Sequence, residues 1–276
     1  RAFSNDWLPV SGMFGAEDPE QEKTVQEMDP PRHGPVRRLY LTALAPGKVA
    51  AAGPRIAELC HEVVGAAAAK PTADLMEDVA IPVPSKVIMH MLGIPESDQT
   101  FVRPWIDAII EGANPTSMIG GGGMGFDQVR QYLAEFNAYI DGLIAQRKGL
   151  EDGPDDLITR MLRHTDEEGH TFTDLEIRTQ VRFAIMAGNE TTTHLIGNLL
   201  YFLARDPALL ERVRAERALV PVLIEEMMRH HAPVQVMFRK CVADTVVAGV
   251  TIPAGAQVAI GIGSANRDEK IYEQAD

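Results

Sequence analysis

The sequence predicts a mostly α fold with a minor β part. Apolar residues recur at helical spacing along most of the segment from about 32 to 231, and Pro, Gly and capping residues divide it into separate helices. One helix, which begins at Thr173 and ends near Ala204, is about 30 residues long, or roughly 45 Å at the usual rise. After Pro233 the pattern changes to β-branched residues interrupted by Pro and Gly, which indicates two or three short strands.

The first half of the chain predicts a loop followed by several helices. Residues 1–30 are rich in Gly, Pro and acidic residues, which favours a long loop with at most a short helix. Pro82 and Pro84 are expected to bend or delay the third of the helices that follow. The predicted helices cover 32–42, 49–69, 75–92, 97–111 and 126–148. The glycine run that ends at Gly125 fits GxGxxG by letter, but no strand precedes it, so we interpret it as a flexible connection that could serve as a lid.

The second half centres on the long helix. Thr173 and Glu176 have the spacing of a capping box at its start. Its middle and far end are apolar on nearly every side, which is typical of a helix that passes through a protein. A turn and a short helix precede it over 149–164. Asp206 as cap and Pro207 at the first position begin the next helix, and a further helix spans about 220–231.

Composition narrows the class of protein. The chain has 276 residues, of which 45% are apolar and 24% charged, the profile of a soluble globular protein. A net charge of −13 argues against binding nucleic acid or anionic membranes, and no apolar run is long enough to span a bilayer. The two cysteines, Cys60 and Cys241, are far apart, which favours a reducing cytoplasm over a disulfide framework. No Met opens the chain and no terminating element closes it, so we expect both ends to continue.

The segment AIMAGNETTTHLIG, 184–197, places a glutamate and three threonines inside the apolar long helix. An unpaired carboxylate is costly to bury, so either Glu190 pairs with a distant Arg while the threonines pack, or these residues serve chemistry. In the second case the Thr191 hydroxyl takes the carbonyl of Ala187, the helix opens a groove, and Glu190 passes protons to a molecule bound there. Periodicity alone leaves both interpretations open.

Three motifs that contain arginine are weaker signals of function than the segment 184–197. In EEMMR, Glu226 and Arg229 stand at i and i+3 and can share a charge-assisted hydrogen bond, although composition alone favours a solvated surface pair. In DPPRHGPVRR, His33 and Arg37 project from one side of a helix and suit an anionic group, although an ordinary basic face has the same spacing. Arg239 is a lone cation among apolar residues, which indicates a buried partner.

Together these motifs resemble the cytochrome P450 family. AGNETT resembles the signature of that family's long central helix, and EEMMR followed by HAPVQVMFR resembles its ExxR helix and the strand after it. DPPRHGPVRRL resembles its haem-facing helix, and IPAGAQVAIGIGSANRD resembles its hairpin and ANRD segment. The ordered motifs extend from Asp29 to Asp268. The resemblance implies a single P450 domain over 1–276, similar to the soluble bacterial members.

The resemblance implies roles for the matching residues. Glu190 and Thr191 would deliver protons to dioxygen, and Ala187 and Gly188 would leave room for it above the haem. Glu226 and Arg229 would form a structural ion pair that supports the haem-binding core. The remaining residues are implied to hold the haem propionates (His33, Arg37 and Arg239) or to line the substrate pocket (Phe183, Met186, Val234, Val236, Met237 and Phe238, with parts of the loop 8–26).

The implied activity of the intact protein is that of a cytoplasmic haem-thiolate monooxygenase. It would use haem b (iron protoporphyrin IX) and a ferredoxin-type electron donor to insert one oxygen atom into a hydrophobic small molecule, of terpenoid, steroid, polyketide or fatty-acid type. The family's iron ligand is a cysteine in a loop FxxGxxxCxG after ANRD, and neither Cys60 nor Cys241 matches it, so we expect the ligand beyond Asp276. A haem-free P450-like partner of another enzyme and an inactive fragment remain as alternatives.

Overall fold

Helices account for most of the computed structural model, which describes residues 2–6, 18, 21–113, 125–165, 169 and 171–275. The helices are α1 (His33–Ala43), α2 (Pro46–Ala68), α3 (Pro82–Leu92), α4 (Gln99–Ala113), α5 (Phe126–Lys148), α6 (Leu157–Arg163), α7 (Asp174–Arg205), α8 (Pro207–Ala215), α9 (Leu219–His230) and α10 (Ile262–Ala265). A π-helical turn, Met76–Ala80, precedes α3, and a 3-10 turn, Glu96–Asp98, precedes α4. The strands are β1 (Phe3–Ser4), β2 (Val236–Cys241), β3 (Thr245–Val247), β4 (Val250–Ile252) and β5 (Gln257–Gly261).

Local signals in the sequence set where the helices α7, α8 and α3 begin. The Thr173 hydroxyl accepts the backbone N–H of Glu176 at 3.2 Å, and the Glu176 carboxylate accepts the N–H of Thr173 at 2.9 Å, so the predicted capping box is confirmed. The Asp206 carboxylate then accepts the N–H of Leu209 at 2.9 Å and caps α8, as predicted. Pro82 begins α3, which agrees with the expectation that proline delays this helix.

The strands form two small antiparallel sheets. One has the order β1-β2-β5, and β2 pairs with β5 from Val236 opposite Gly261 to Lys240 opposite Gln257. The other is the hairpin of β3 and β4. The expectation that residues 1–30 contain only a loop and at most a short helix is wrong at Phe3–Ser4, because these two residues pair with Cys241 and Lys240. A two-residue strand depends on its distant neighbour and leaves no period of its own in the sequence.

Two compact units divide the chain, and helix α7 contributes to both. The first unit comprises Arg1–Trp7, Cys60–Pro84 and Asn189–Asp276, and the second comprises Leu8–Leu59 and Ser85–Gly188. The predicted glycine-rich connection lies outside the described residues except for Gly125, as does most of the predicted pocket loop 8–26. Within the described ranges, no helix is long and apolar enough to cross a membrane.

The hydrophobic core of the second unit is built from α3 to α6 and the beginning of α7. Its fully buried side chains include Leu92, Ile106, Phe136, Ile140, Ile144, Ile158, Met161, Ile177 and Ile185. Each such side chain contributes about 1.5–3 kcal/mol through its removal from water. This core fixes the first half of α7, whereas apolar residues of its second half, such as Leu195 and Leu199, are only half-buried.

Arg229 on α9 organises the far end of the first unit. Its guanidinium makes a two-pronged ion pair with the Glu226 carboxylate, at 2.6 and 2.8 Å. It also donates to three backbone carbonyls, those of Asn266 (2.8 Å), Ala275 (3.0 Å) and Gln274 (3.3 Å), and lies over the Tyr272 ring, 4.8 Å from its centre. The Arg229 side chain is 12% exposed, whereas that of Glu226 is 55% exposed. One largely buried cation thus connects α9 to the segment that follows α10.

Replacing Arg229 with lysine should therefore cost about 2 kcal/mol of unfolding free energy, because an ammonium group cannot reproduce the planar fork that serves a carboxylate and several carbonyls at once. Urea unfolding of the two proteins measures the cost. The matched control is Arg214→Lys, which alters another Arg–Glu pair at i and i+3 whose side chains are 63% and 70% exposed. The control should cost under ~0.5 kcal/mol. Equal costs for the two variants would contradict the role assigned to Arg229.

Glu226 makes the stability depend on pH. The hydrogen bonds from Arg229 hold the pKa of the Glu226 carboxyl below its usual value of 4.5. The ionised form is favoured by folding, so its contribution is present above that value and is lost as the pH falls through the lowered pKa. The difference in unfolding free energy between wild type and Glu226→Gln should therefore be larger at about pH 7 than at about pH 3. A difference that grows on acidification would show that the sign is wrong.

Candidate active site on the central helix

The acid–alcohol motif lies on the middle of α7, which is continuous from Asp174 to Arg205. Ala187, Gly188, Glu190 and Thr191 are all half-buried. Ala187, Glu190 and Thr191 stand at i, i+3 and i+4 and so share one side of the helix. The helix carries no π or 3-10 segment at this point, so the bond between the Thr191 hydroxyl and the Ala187 carbonyl, and the groove it would open, stay predictions.

Glu190 has no partner within the described part of the chain. Its carboxylate forms neither a hydrogen bond nor an ion pair with the residues in those ranges. The prediction that it pairs with a distant arginine is therefore not met there. By contrast, the neighbouring Asn189 is buried, and its side-chain oxygen accepts the Thr193 hydroxyl at 3.4 Å. A half-buried carboxylate with no fixed partner can exchange protons with water, which is what a proton relay requires.

The first two predicted propionate ligands lie on α1 in the second unit. His33 opens this helix and is half-buried, and Arg37 follows one turn later with an exposed side chain. Arg37 has no carboxylate partner among the described residues. Hydrogen-bond donors at i and i+4 project from the same side of a helix, so this end of α1 can bind an anionic group.

Arg239 lies on β2 in the first unit, opposite Val258. Its Nη1 donates to the carbonyl of Phe238 at 2.6 Å, and no carboxylate in the described ranges pairs with it. The guanidinium has five N–H donors, so most of them are left for an external acceptor. The prediction that Arg239 has a buried protein partner is thus not met among the described residues, where its guanidinium is half-buried and has no carboxylate as counter-ion.

Strand alternation separates the residues predicted to line the substrate pocket. Val236 and Phe238 are exposed on one face of β2, whereas Met237 and Arg239 are half-buried on the other. Val234 precedes the strand and is half-buried. Neighbours in a strand point to opposite sides, so Val236 and Phe238 face away from Met237, and the expectation that residues 234–238 line the substrate pocket stays a prediction.

The other two predicted pocket residues lie on α7 in the second unit. Phe183 is half-buried and packs edge-on against Tyr40 of α1, with ring centres 6.0 Å apart and planes at 77°. Met186 packs against the hydrophobic core of the same unit. Packing against α1 thus fixes the position of Phe183, and packing against the core fixes that of Met186.

A cavity of about 560 Å³ opens elsewhere in the first unit. It is bounded by the second half of α7, the turn at 74–76 and Ala232–Pro233, and its lining includes His194, Asn198 and Tyr201. None of the predicted catalytic or cofactor residues lines it. Among the described residues, no cluster of three or more His, Cys, Asp or Glu side chains could hold a metal ion.

Sequence reasoning missed a row of polar side chains on the first half of α7. Gln180 and Arg182 are buried there, and both bind residues of the segment 21–28. The available signal was the polar letters of RTQVR within an otherwise apolar helix, but a helical pattern does not say which segment will satisfy them.

Comparison with known proteins gives a consistent result. The family model described as Cytochrome P450 matches residues 124–276. Cytochrome P450 monooxygenase PikC of Streptomyces venezuelae is 33% identical over 268 residues, which cover 96% of this chain and 61% of PikC. Cyclomarin C epoxidase CymV of Salinispora arenicola is 31% identical over 277 residues, which cover 99% of this chain and 68% of CymV. The chain spans about three-fifths of the length of the first curated relatives it matches.

Solved structures agree with the sequence relatives. The structure of cytochrome P450 CYP109Q5 from Chondromyces apiculatus superposes with a TM-score of 0.85 at 31% identity, covering 100% of this chain and 67% of that one. Substrate-free CYP109E1 from Bacillus megaterium gives 0.85 at 30% identity, covering 99% and 69%. The mostly α fold with a long helix and a minor β part, predicted from the sequence, is therefore confirmed as the P450 fold. The chain belongs to the cytochrome P450 family.

Proposed function

We propose that the intact protein is a haem-thiolate monooxygenase that inserts one oxygen atom from dioxygen into a hydrophobic small molecule. The observation that carries this proposal is the Glu190 carboxylate: in a P450 chain, it lies half-buried beside Thr191 with no partner among the described residues. A purely structural glutamate at such a depth would be expected to have one.

The residues present fit an anionic cofactor such as haem b. Arg37 in the second unit and Arg239 in the first unit are cations without a carboxylate partner in the described ranges. We assign these two side chains, together with His33, to the haem propionates. Arginine suits this task because its fork matches a carboxylate. When bound, the haem would supply the redox chemistry that activates dioxygen.

Glu190 and Thr191 would supply protons to that chemistry. The Glu190 carboxylate takes a proton from water, and the Thr191 hydroxyl can both accept and donate one. Neighbours in sequence project about 100° apart on a helix, so a water molecule passes the proton between them. Ala187 carries too little side chain to block the approach of a small molecule to this side of α7, whereas at Gly188 a Cβ would lie 3.5 Å from the Ile88 side chain.

The remaining assignments follow from the family. An erythromycin C-12 hydroxylase of Saccharopolyspora erythraea is 29% identical to this chain, and CYP109E1, 30% identical, has been solved with corticosterone. Both point to hydrophobic small molecules as the substrate class. We propose Phe183, Met186, Val234 and Met237 as pocket residues, with Val236 and Phe238 on the opposite face of β2. We further propose one P450 domain, a ferredoxin-type donor and a cytoplasmic location.

The colour of the purified full-length protein tests the proposal. A Soret band that shifts under carbon monoxide after reduction is the expected result. A colourless, folded protein would overturn the oxygenase and favour a haem-free P450-like partner of another enzyme.

Thr191→Ala should uncouple the reaction without removing the haem. Loss of the hydroxyl removes a proton donor, so product formed per NAD(P)H should fall by about tenfold or more while peroxide rises. The Soret band per protein should not change. Thr192→Ala is the matched control, because Thr192 is an equally half-buried threonine of α7 that projects to another side. Equal product yields for the two variants would remove Thr191 from the mechanism.

A further inference from the structure

The side chain of Gln180, fully buried at 0% exposure on α7, holds the backbone of a neighbouring loop. Its Nε2 donates to the carbonyl of Lys23 at 3.0 Å, and its Oε1 accepts the N–H of Val25 at 3.3 Å. An acceptor and a donor two residues apart are what an adjacent β-strand would engage. One amide side chain therefore takes the place of a strand partner for residues 23–25.

Other polar contacts extend this attachment along the segment 21–28, which we call the strap. Arg182 forms an ion pair with Glu22 at 2.9 Å, with side chains 9% and 5% exposed. The Thr173 hydroxyl donates to the side chain of Gln21 at 3.0 Å. Buried charges are tolerated only when they are paired, so these contacts specify one position of the strap against α7.

Gln180 also connects α7 to α1. The Tyr40 hydroxyl donates to the backbone carbonyl of Gln180 at 2.9 Å and lies 3.3 Å from its Oε1. Burial raises the pKa of the Tyr40 phenol well above its usual range, so the hydroxyl remains a donor. The same Tyr40 ring packs edge-on against Phe183, one turn further along α7. The strap, α1 and α7 thus meet at one glutamine within the second unit.

We propose that Gln180 is a positioning residue that determines substrate specificity. Its side chain holds the strap, and its backbone carbonyl together with Oε1 holds the Tyr40 hydroxyl, so the Tyr40 ring that packs against Phe183 is fixed and with it the shape of the pocket wall. This inference rests on the proposed function, because only there does Phe183 face substrate. Gln180 itself touches neither substrate nor cofactor.

Gln180→Met tests the proposal in the full-length protein, since methionine has a similar length but no hydrogen-bonding amide. The matched control is Gln146→Met, at an exposed glutamine of α5. Two readouts are needed: amide hydrogen exchange of residues 21–28, and the affinities of imidazole and 4-phenylimidazole from the shift of the Soret band. Imidazole barely contacts a pocket wall, whereas the phenyl group depends on it.

Gln180→Met should accelerate amide hydrogen exchange in the strap about tenfold and lower the affinity for 4-phenylimidazole by a similar factor. The affinity for imidazole should change less than about twofold. The control should change none of these. Unchanged amide exchange in the strap would overturn the proposal. So would an equal loss of affinity for both imidazoles, because a merely structural residue affects the binding of the two ligands alike.

Tyr40→Phe covers the case in which Gln180→Met does not fold. It keeps the ring beside Phe183 and the two contacts of the Gln180 amide with the strap, but removes the hydroxyl that binds Gln180. Amide exchange in the strap should therefore stay within about twofold, while the affinity for 4-phenylimidazole alone falls a few-fold. Equal affinities in this variant and wild type would also overturn the inference. A wild-type protein without a Soret band would overturn the proposed function instead. In that case amide hydrogen exchange would still show whether Gln180 holds the strap.

Discussion

Polar side chains on the apolar helix α7 must either have their hydrogen bonds satisfied by protein or stay in contact with water. A buried amide or charge is stable only when other groups satisfy its hydrogen bonds. On the first half of α7 the protein itself does this, since Gln180 and Arg182 bind the strap. At Glu190 the described residues supply no partner, and the carboxylate is only half-buried. One helix therefore has a polar region whose hydrogen bonds are satisfied by protein and a carboxylate left to water, and the proposed proton relay uses the second.

The helices were predictable from sequence because their signals are local. The capping box at Thr173, the cap at Asp206 and the proline that opens α3 each act through neighbours within one turn. Strand β1 was not predictable, because Phe3 and Ser4 are defined by β2, which lies far away in sequence. The degree of burial of α7 was also overestimated: an apolar pattern says that a face can be buried, but the packing partners decide how far.

The candidate site was predictable in part for the same reason. Residues on one helix, such as Glu190 and Thr191 or Glu226 and Arg229, have relative positions fixed by the helical period, and the second pair is bonded. Strand alternation places Val236 and Phe238 on the face of β2 opposite Met237, which the letters of the motif do not show by themselves. Gln180 was missed because its partners are backbone groups of a loop, and backbone groups leave no trace in sequence. A sequence motif identifies residues that lie on the same helix or strand, whereas contacts with the backbone of a distant loop are visible only in the structure.

Rigidity along α7 explains why a glutamine remote from the chemistry can matter to it. Gln180 and Gly188 are eight residues apart on a continuous helix, about 12 Å at the usual rise, with Phe183 and Met186 between them. The core of the second unit holds this stretch through Val181 and Ile185, both fully buried. A packed helix shifts as a body, so loosening its attachment to the strap at one end displaces the pocket-side residues together. The strap and the proposed pocket wall are therefore attached to the same packed helix, and this is why we propose that Gln180 affects specificity without touching the substrate.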